Sequence, residues 1–395
     1  MKVLHFCISD TAGAGLCCLR IHKSLLALGV DSKVVVQIKC SEEPEVYQYD
    51  SLLDKLYRAI SKFCRMISFP FTERARVMLM AKKYHTTYSL PVSYVDITKC
   101  PLYQWADVIH LHWINNFVDY PSFFRKNRKP VVWTLHDENL FYGIAHHHRC
   151  ILPANQLEIK YRKIKYEALH CATNLSIIFL SYYMYDKFGQ EKIIEGKDKL
   201  IINNSVDGNV FTIGDKKVLR NKYGFNTNKR ILLFVANDIN DPNKGLNLLS
   251  QAVTKMDDDR YSILAIGGNY DNILWPNTVS YGRISDPLML NELISVADVF
   301  VLSSFQEAFP QSPLEAMACG LPVVAFPVSG MSEMIDDNNG IVCEDFTEDS
   351  LIKGIHEVFK RRYDPNVIRQ NVLSKFSPDV IASSYISVYN KYLEN

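Results

Sequence analysis

No stretch of this 395-residue sequence approaches the roughly 18 consecutive apolar residues that a membrane-crossing helix needs, so no span is expected. Met1 to Ile8 reads as a short strand with Asp10 directly after it, which is not a signal-peptide pattern. Ten cysteines occur without a C-x-x-C pair or regular spacing. That argues against a disulfide scaffold and for reduced, mostly buried thiols in a cytoplasmic chain. Internal repeats and low-complexity tracts are lacking as well. Net charge is nearly absent, with 44 Lys+Arg against 43 Asp+Glu. The balance is divided unevenly, however. Residues 1–200 hold 27 basic and 19 acidic side chains, or +8, and the remainder carries −7. A basic first half implies an anionic partner there, such as a membrane surface or a phosphorylated lipid. No stacking-and-basic motif supports nucleic acid.

What is present is ordinary globular material, 48% hydrophobic and 22% charged. The length exceeds one common core and predicts two domains. Residues 1–200 and 201–374 form the two expected α/β domains, and 375–395 a closing helical segment.

The most informative stretch is Ala297 to Glu333. Val299 to Leu302 reads as a buried strand. A polar loop with Glu307 follows, and Ser312-Pro313-Leu314-Glu315 opens a helix with Ser312 as N-cap and Pro313 at the first helical position. Gly320 stops that helix, and Pro322 to Phe326 is the next strand. Such β-loop-α-β units bind ligands at the carboxyl ends of their strands, against helix N-termini. Glu315 alone also fits a capping-box glutamate.

The chain opens on a similar unit. A strand at Lys2 to Ile8 leads into Asp10 to Gly15, then a helix at Leu16 to Leu28 closed by Gly29, then a strand at Val34 to Ile38. Gly13 and Gly15 suit either close backbone approach to a ligand or a tight turn. The dinucleotide fingerprint is not met, because Cys18 stands at the third glycine position. In Leu52 to Ile67, Leu53, Leu56, Ile60, Phe63 and Ile67 form one helical stripe, and Lys55, Arg58, Lys62 and Arg65 a basic one. This reads as a core face beneath solvated charges, or as a contact with an anionic membrane.

Ala106 to Trp113 is a strand ending in His110, His112 and Trp113, and Pro130 to Leu135 delivers His136-Asp137 to its end. The adjacent His146, His147 and His148 cannot all reach one ion from regular structure, and no metal site is assigned there. Residues 156–170 form a second basic helix with Lys160, Arg162, Lys163 and Lys165, and 186–200 a further helix. Ile231 to Ala236 starts a fresh series, and Lys244-Gly245 precedes a helix at Leu246 to Met256. A lysine at a helix start suits pyrophosphate, through its charge and the unpaired amides. Ser262 to Ile266 is a strand, 287–296 and 348–361 are helices, and Ser377-Pro378 caps a last one with Ile381, Tyr385, Val388, Tyr389 and Tyr392 on one face.

The phrase around Glu307 and Glu315 resembles the donor signature of the retaining family-4 glycosyltransferases, which have the GT-B fold. The histidine phrases at 110–113 and 134–137, followed by Phe141-Tyr142-Gly143, resemble the branch that builds bacterial surface polysaccharides, of the colanic acid or lipopolysaccharide type. The resemblance spans nearly the whole chain and is absent over about 40–85. It implies two Rossmann-like domains facing a central cleft, with the last helix crossing back to the first domain. It implies transfer of a hexose, with retention, from a nucleoside-diphosphate sugar to a glycolipid or oligosaccharide acceptor on a lipid-linked glycan or polysaccharide precursor. It assigns the ribose to Glu315, and the donor sugar to Glu307 and the Phe309, Pro310, Gln311 and Ser312 loop. The diphosphate falls to Lys244, donor phosphate or acceptor to Gly13 and Gly15, and the nucleobase side to Arg283. His136 faces the reacting sugar, with His110, His112 and Asp137 on the acceptor side. No cofactor or divalent metal is implied, and an Asp-x-Asp triplet is expected to be lacking. Asn237-Asp238 stands where the family often has an arginine, and Ser205 replaces the glycine of its "NGVD" phrase. A nucleotide-sugar epimerase of the same fold, or a non-catalytic nucleotide-sugar-binding subunit, would carry the same phrases. The implied location is the cytoplasm, peripheral on the inner face of the cell membrane.

Overall fold

The computed structural model describes residues 1–151, 155–268 and 277–393. Leu152 to Ala154, Asn269 to Pro276, and Glu394 and Asn395 of the closing segment lie outside the described residues. The chain divides into two compact units, Met1–Ile202 with Ala382–Asn395, and Asn203–Ile381.

The first unit is built on seven parallel strands: β1 Lys2–Ser9, β2 Asp31–Ile38, β3 Val46–Gln48, β4 Val108–Leu111, β5 Val131–Leu135, β6 Leu175–Phe179 and β7 Asp198–Ile201. Their order in the sheet is β3-β2-β1-β4-β5-β6-β7. The central strands are buried throughout, as expected of strands covered on both faces. The second unit has β8 Arg230–Asp238, β9 Tyr261–Gly268, β10 Thr278–Tyr281, β11 Val299–Leu302, β12 Val323–Ala325 and β13 Gly340–Val342. These run in the order β10-β9-β8-β11-β12-β13, again all parallel. Both units are therefore the parallel-sheet α/β domains that the GT-B resemblance implies. In each sheet the order reverses at the first strand, between β1 and β4 and between β8 and β11. Ligands of open α/β sheets sit at the carboxyl ends of the strands at such a reversal.

The closing helix, Pro378–Asn390, sends Tyr385, Tyr389 and Val388 into buried positions. From Ala382 onward it belongs to the first unit, where Tyr392 OH lies 2.6 Å from Ser176 Oγ of β6.

Three elements of the fold depart from the sequence reading. Residues 186–200 are not a helix. A helix ends at Phe188, a single 3-10 turn covers Lys192–Ile194, and β7 follows. Gly196, at φ +70°, breaks the chain before β7, and the Lys- and Asp-bearing β7 is a sheet edge, where charge discourages further pairing. The helix Pro365–Phe376, capped by Asp364, has no counterpart in the sequence reading.

The third concerns the helix Leu52–Met66, whose apolar stripe does not face a core. Its polar residues do. Asp54 is fully buried, and its carboxylate accepts from Tyr94 N at 3.1 Å and Gln37 Nε2 at 3.0 Å and forms an ion pair with Arg58 at 3.0 Å. Ser61 is buried beside Thr72, with their hydroxyls 2.8 Å apart. Leu53, Leu56, Ile60, Phe63 and Ile67 are exposed instead, joined by Leu52, Met66, Phe69 and Phe71. The helix is amphipathic in the inverse sense of an ordinary surface helix.

Candidate functional site

In the second unit the reversal point lies between the ends of β8 and β11. Beyond β8 the chain makes a 3-10 turn at Pro242–Lys244, started by Asp241, whose carboxylate accepts from Asn243 N at 2.9 Å. Gly245 then adopts φ +76° and heads the helix Leu246–Lys255. A Cβ on Gly245 would stand 2.2 Å from Ser303 O at the end of β11, so conformation and space both require glycine. Ser303 Oγ donates toward Gly245 O at 3.0 Å, and Phe305 N donates to Asn243 O at 2.8 Å. These bonds fix the two strand-end loops against each other.

Lys244 and Glu307 meet across them, with Nζ donating to Oε1 at 2.7 Å. Burial alone would lower the lysine's pKa. The charge and hydrogen bond of Glu307, with help from Asp241, outweigh that and raise it. The ammonium is thus held at the start of a helix whose first amides lack intrahelical partners.

The loop after Glu307 is anchored on both sides. Asn204 Nδ2 donates to Phe309 O at 2.9 Å, and Ser329 Oγ to Ala308 O at 2.6 Å. Phe309 is buried and packs on Phe376, so only its backbone is available to a ligand. The following helix starts at Gln311 with Pro310 at the N-cap. Ser312 is therefore inside the first turn and is not the cap, a shift of two residues from the expected start. Proline fits the new cap because its fixed φ matches the observed −69°. Glu315 is buried within that helix. Arg283 is exposed between β10 and the helix Pro287–Ser295.

In the first unit the reversal point lies between β1 and β4. The helix there is Ala12–Ala27, so Gly13 and Gly15 lie in its first turn rather than in a loop. A Cβ on Gly15 would meet Ser9 O at 2.4 Å, which makes this glycine a packing requirement of the strand-to-helix turn. Nothing lies within 4 Å of the Cβ position of Gly13. Of the two, Gly13 alone has room for a ligand.

The histidines converge at the same strand ends. His5 of β1 is in register with His110 of β4. His5 Nδ1 lies 3.0 Å from His112 Nε2, and His112 Nδ1 lies 3.0 Å from His136 Nε2. His110 bonds to Thr134 Oγ1 at 2.9 Å and to Tyr389 OH at 2.7 Å. His110 and His112 are both buried, and their ring nitrogens are held by other side chains of this unit. His136 is half-buried. Burial lowers its pKa to about 4 despite the opposing charge of Asp137, so it is neutral at pH 7.

Asp137 is also committed. Oδ2 accepts from Trp113 Nε1 at 2.6 Å and pairs with His146 Nδ1 at 2.6 Å, and Oδ1 accepts from Asn139 N at 2.8 Å. Burial would raise its pKa, but His146 and these donors hold it well below the ordinary carboxylate range. Beneath this loop sits Lys165, fully buried rather than part of a basic surface. Its ammonium donates to Asn139 O, Asn139 Oδ1 and Tyr142 O at 2.5, 2.6 and 2.9 Å. Burial lowers its pKa to about 7.

Among the described residues, one group of histidines, His5, His110 and His112, could hold a metal. Every ring nitrogen of the three except His5 Nε2 already bonds to a hydroxyl or another imidazole, so a metal would have to break that network. An Asp-x-Asp triplet does stand in the sequence, at Asp257-Asp258-Asp259. It forms the turn before β9, where Asp258 is bound by the backbone and guanidinium of Arg260.

Sequence reading missed His5, Thr134, Tyr389, Ser303 and Asn204. His5 could have been found from strand periodicity, as a polar residue inside the buried first strand. The others act through tertiary contacts that carry no local signal.

Residues 215–374 match the family described as Glycosyl transferases group 1. The chain is 26% identical over 219 residues to the N-acetyl-alpha-D-glucosaminyl L-malate synthase of Bacillus anthracis, covering 52% of this chain and 57% of that protein. It is 25% identical over 336 residues to an uncharacterized 41.2 kDa protein in the cps region of Klebsiella pneumoniae, covering 80% and 88%. The match spans little more than half the length of the first curated relatives. In fold, the chain is similar to Anabaena Alr3699/HepE, solved in complex with UDP and glucose. That likeness has a TM-score of 0.65 at 18% identity, over 99% of this chain and 100% of the other.

Proposed function

Proceeding from the Glycosyl transferases group 1 domain at residues 215–374, we propose that this chain is a retaining hexosyltransferase of GT-B architecture. Its donor is a nucleoside-diphosphate sugar, and its acceptor a lipid-linked glycan or polysaccharide precursor. The match to the Glycosyl transferases group 1 family supports a transferase enzyme.

The observation that carries the proposal is the Lys244–Glu307 pair at the reversal point of the second sheet. A diphosphate brought to the start of the helix Leu246–Lys255 meets a fixed cation and unpaired amides. Lys244 then turns from Glu307 to the phosphates and stabilises charge growing on the leaving group, the largest electrostatic task in such a transfer. Glu307, released from that bond, accepts from hydroxyls of the donor sugar. Glu315 takes the ribose, backbone groups from Phe309 to Ser312 line the sugar and phosphates, and Arg283 serves the nucleobase side. In the first unit, Gly13 leaves room for phosphate or acceptor, and His136 orients the reacting sugar. This chemistry needs no divalent metal.

Peripheral attachment to an anionic membrane belongs to the same reading, because a lipid-linked acceptor resides there. The outward apolar face of residues 52–71 supports it. Lys55, Lys62 and Arg65 are exposed beside that face, and its one acidic residue, Asp54, is buried. Apolar burial and attraction to anionic headgroups act together on such a helix.

A thermal-shift panel of nucleotide sugars is the direct test of the donor. A specific donor raises the unfolding midpoint, by an amount that grows with the logarithm of its concentration over its Kd. No shift with any nucleoside diphosphate or its sugars would end the proposal.

A further inference from the structure

His5, His112 and His136 form one line of imidazoles running from the interior of the first unit to its strand ends. Each contact joins a Nδ1 to the Nε2 of the next ring at 3.0 Å. The rings are roughly parallel, with interplanar angles of 26° and 29°. His110 packs against both inner rings, at 4.8 and 4.1 Å between centroids, and is itself held by Thr134 and Tyr389.

A line of neutral imidazoles has two settings. Every ring donates in one direction, or every ring donates in the other. The end of the line decides between them. His5 is fully buried, and its Nε2 has no hydrogen-bond partner. If the bonds ran inward, that atom would be a buried N–H donor without an acceptor. If they run outward, it is only an unfilled lone pair. Orphaned buried N–H groups are the rarer of the two. The outward setting therefore holds: His5 Nδ1–H donates to His112, and His112 Nδ1–H donates to His136 Nε2. His136, neutral, must then carry its proton on Nδ1. The neighbouring Asp137 does not compete for that role, since its oxygens serve Trp113, His146 and Asn139. Among the described residues His136 Nδ1 has no partner, and the side chain is only half-buried.

We infer that His5 and His112 are positioning residues that fix His136 as the Nδ1–H tautomer, so that His136 meets its ligand as a neutral hydrogen-bond donor and not as a base. The group it addresses is an acceptor oxygen, a hydroxyl or carbonyl of the sugar. This rests on the proposed place of His136 at the reacting sugar, but the tautomer itself does not. A positioning line of this kind acts as outer-shell partners do elsewhere, by fixing which nitrogen bears the proton.

The test is long-range 1H–15N NMR on the full chain with 15N-labelled histidine at pH 7, with His136 assigned through His136→Gln. A protonated-type Nδ1 and bare-type Nε2 on His136 are expected. The reverse pattern overturns the inference, whatever reaction the protein performs. Two variants then separate positioning from packing. His112→Leu removes the donor to His136, and His112→Asn keeps an amide donor near the same place. Expected are a loss of transfer rate of about 10–100-fold in His112→Leu, nucleotide affinity within threefold, and recovery of most of the rate in His112→Asn. Equal losses in both variants with the His136 tautomer unchanged would mean that His112 only fills space, and would overturn its positioning role. A wild-type chain that transfers no sugar from any donor would defeat the proposed function, and the NMR result would still decide the tautomer.

Discussion

Lys244 Nζ donates to Glu307 Oε1 at 2.7 Å, joining the loops after β8 and β11. Sixty-three positions separate the two residues in sequence. The two groups proposed to bind the donor are thus each other's partner. Donor binding must exchange that bond for bonds to phosphate and sugar.

This gives the two residues opposite signatures. Lys244→Ala is expected to weaken nucleoside-diphosphate binding by about 1–3 kcal/mol, the scale of a charge-assisted hydrogen bond. Glu307→Gln removes the competing carboxylate, so the affinity for a diphosphate without sugar should hold or rise. Its transfer rate should fall roughly 10²-fold, as for a lost transition-state contact. Calorimetry with the free diphosphate, beside turnover, reads both. A Glu307→Gln chain that loses diphosphate affinity would show that the pair is structural.

The outward face of residues 52–71 predicts salt-sensitive binding to vesicles containing anionic lipid. Leu56→Glu with Phe63→Glu should abolish that binding without altering the thermal midpoint, because both side chains are exposed. Lys55→Glu with Lys62→Glu should weaken it at low salt and matter less at 1 M, where the screening length is about 3 Å. Flotation with neutral and anionic vesicles measures this. Sedimentation velocity checks the other occupant of an apolar face, a second copy. Concentration-dependent dimers that the Leu56→Glu, Phe63→Glu pair dissolves, without vesicle binding, would refute the membrane reading.

Strand cores and helix breaks were legible because they are local. The buried runs of β5 and β11, Gly320 at φ +78°, and the lysine before Gly245 each follow from a few neighbouring residues. Composition misled where tertiary contacts decide. Nothing local to Leu52–Met66 tells which stripe faces inward. That is set by Gln37 and the backbone of Tyr94, distant in sequence, which capture Asp54. Lys165 reads as a surface charge until the carbonyls of Asn139 and Tyr142 are seen to enclose it. The pairing of Lys244 with Glu307 needs the order of strands in the sheet, which spacing does not contain.

Acid should destabilise the first unit early. Burial lowers the pKa of His22 and His136 to about 4, and holds His5, His110 and His112 well below the ordinary value of 6.5. Above pH 6.5 these residues are neutral folded and unfolded, so they impose no penalty. Between pH 6.5 and 4 the unfolded chain takes up protons that the folded one does not, so stability falls as pH falls. Each contributes up to about 1.4 kcal/mol per pH unit. Urea midpoints at pH 7, 6 and 5 should drop progressively, and His22→Asn should reduce the slope. A midpoint constant from pH 7 to 5 would contradict this account.

Lys165 should add a slope of its own on the alkaline side. Its folded pKa, about 7, lies below the ordinary lysine value of 10.5 because burial disfavours the ammonium. Between pH 7 and 10.5 the unfolded chain holds a proton that the folded chain has released. Stability therefore rises with pH across that window and is lost as pH falls back toward 7. Lys165→Met keeps the length of the side chain and removes the titration, so its stability should lack this slope. It also strips the donor from Asn139 O, Asn139 Oδ1 and Tyr142 O. Asn139 O keeps the bond from Tyr142 N, but Asn139 Oδ1 and Tyr142 O would then lack a partner, at about 1–3 kcal/mol for an unsatisfied group. The expected result is a Lys165→Met chain less stable than wild type at pH 9, with the gap narrowing toward pH 7, where wild type bears the cost of a buried charge. Denaturant unfolding at pH 7, 8 and 9 reads both the gap and its change. Parallel curves for the two chains would show that Lys165 keeps its proton throughout and that its carbonyl contacts act alone.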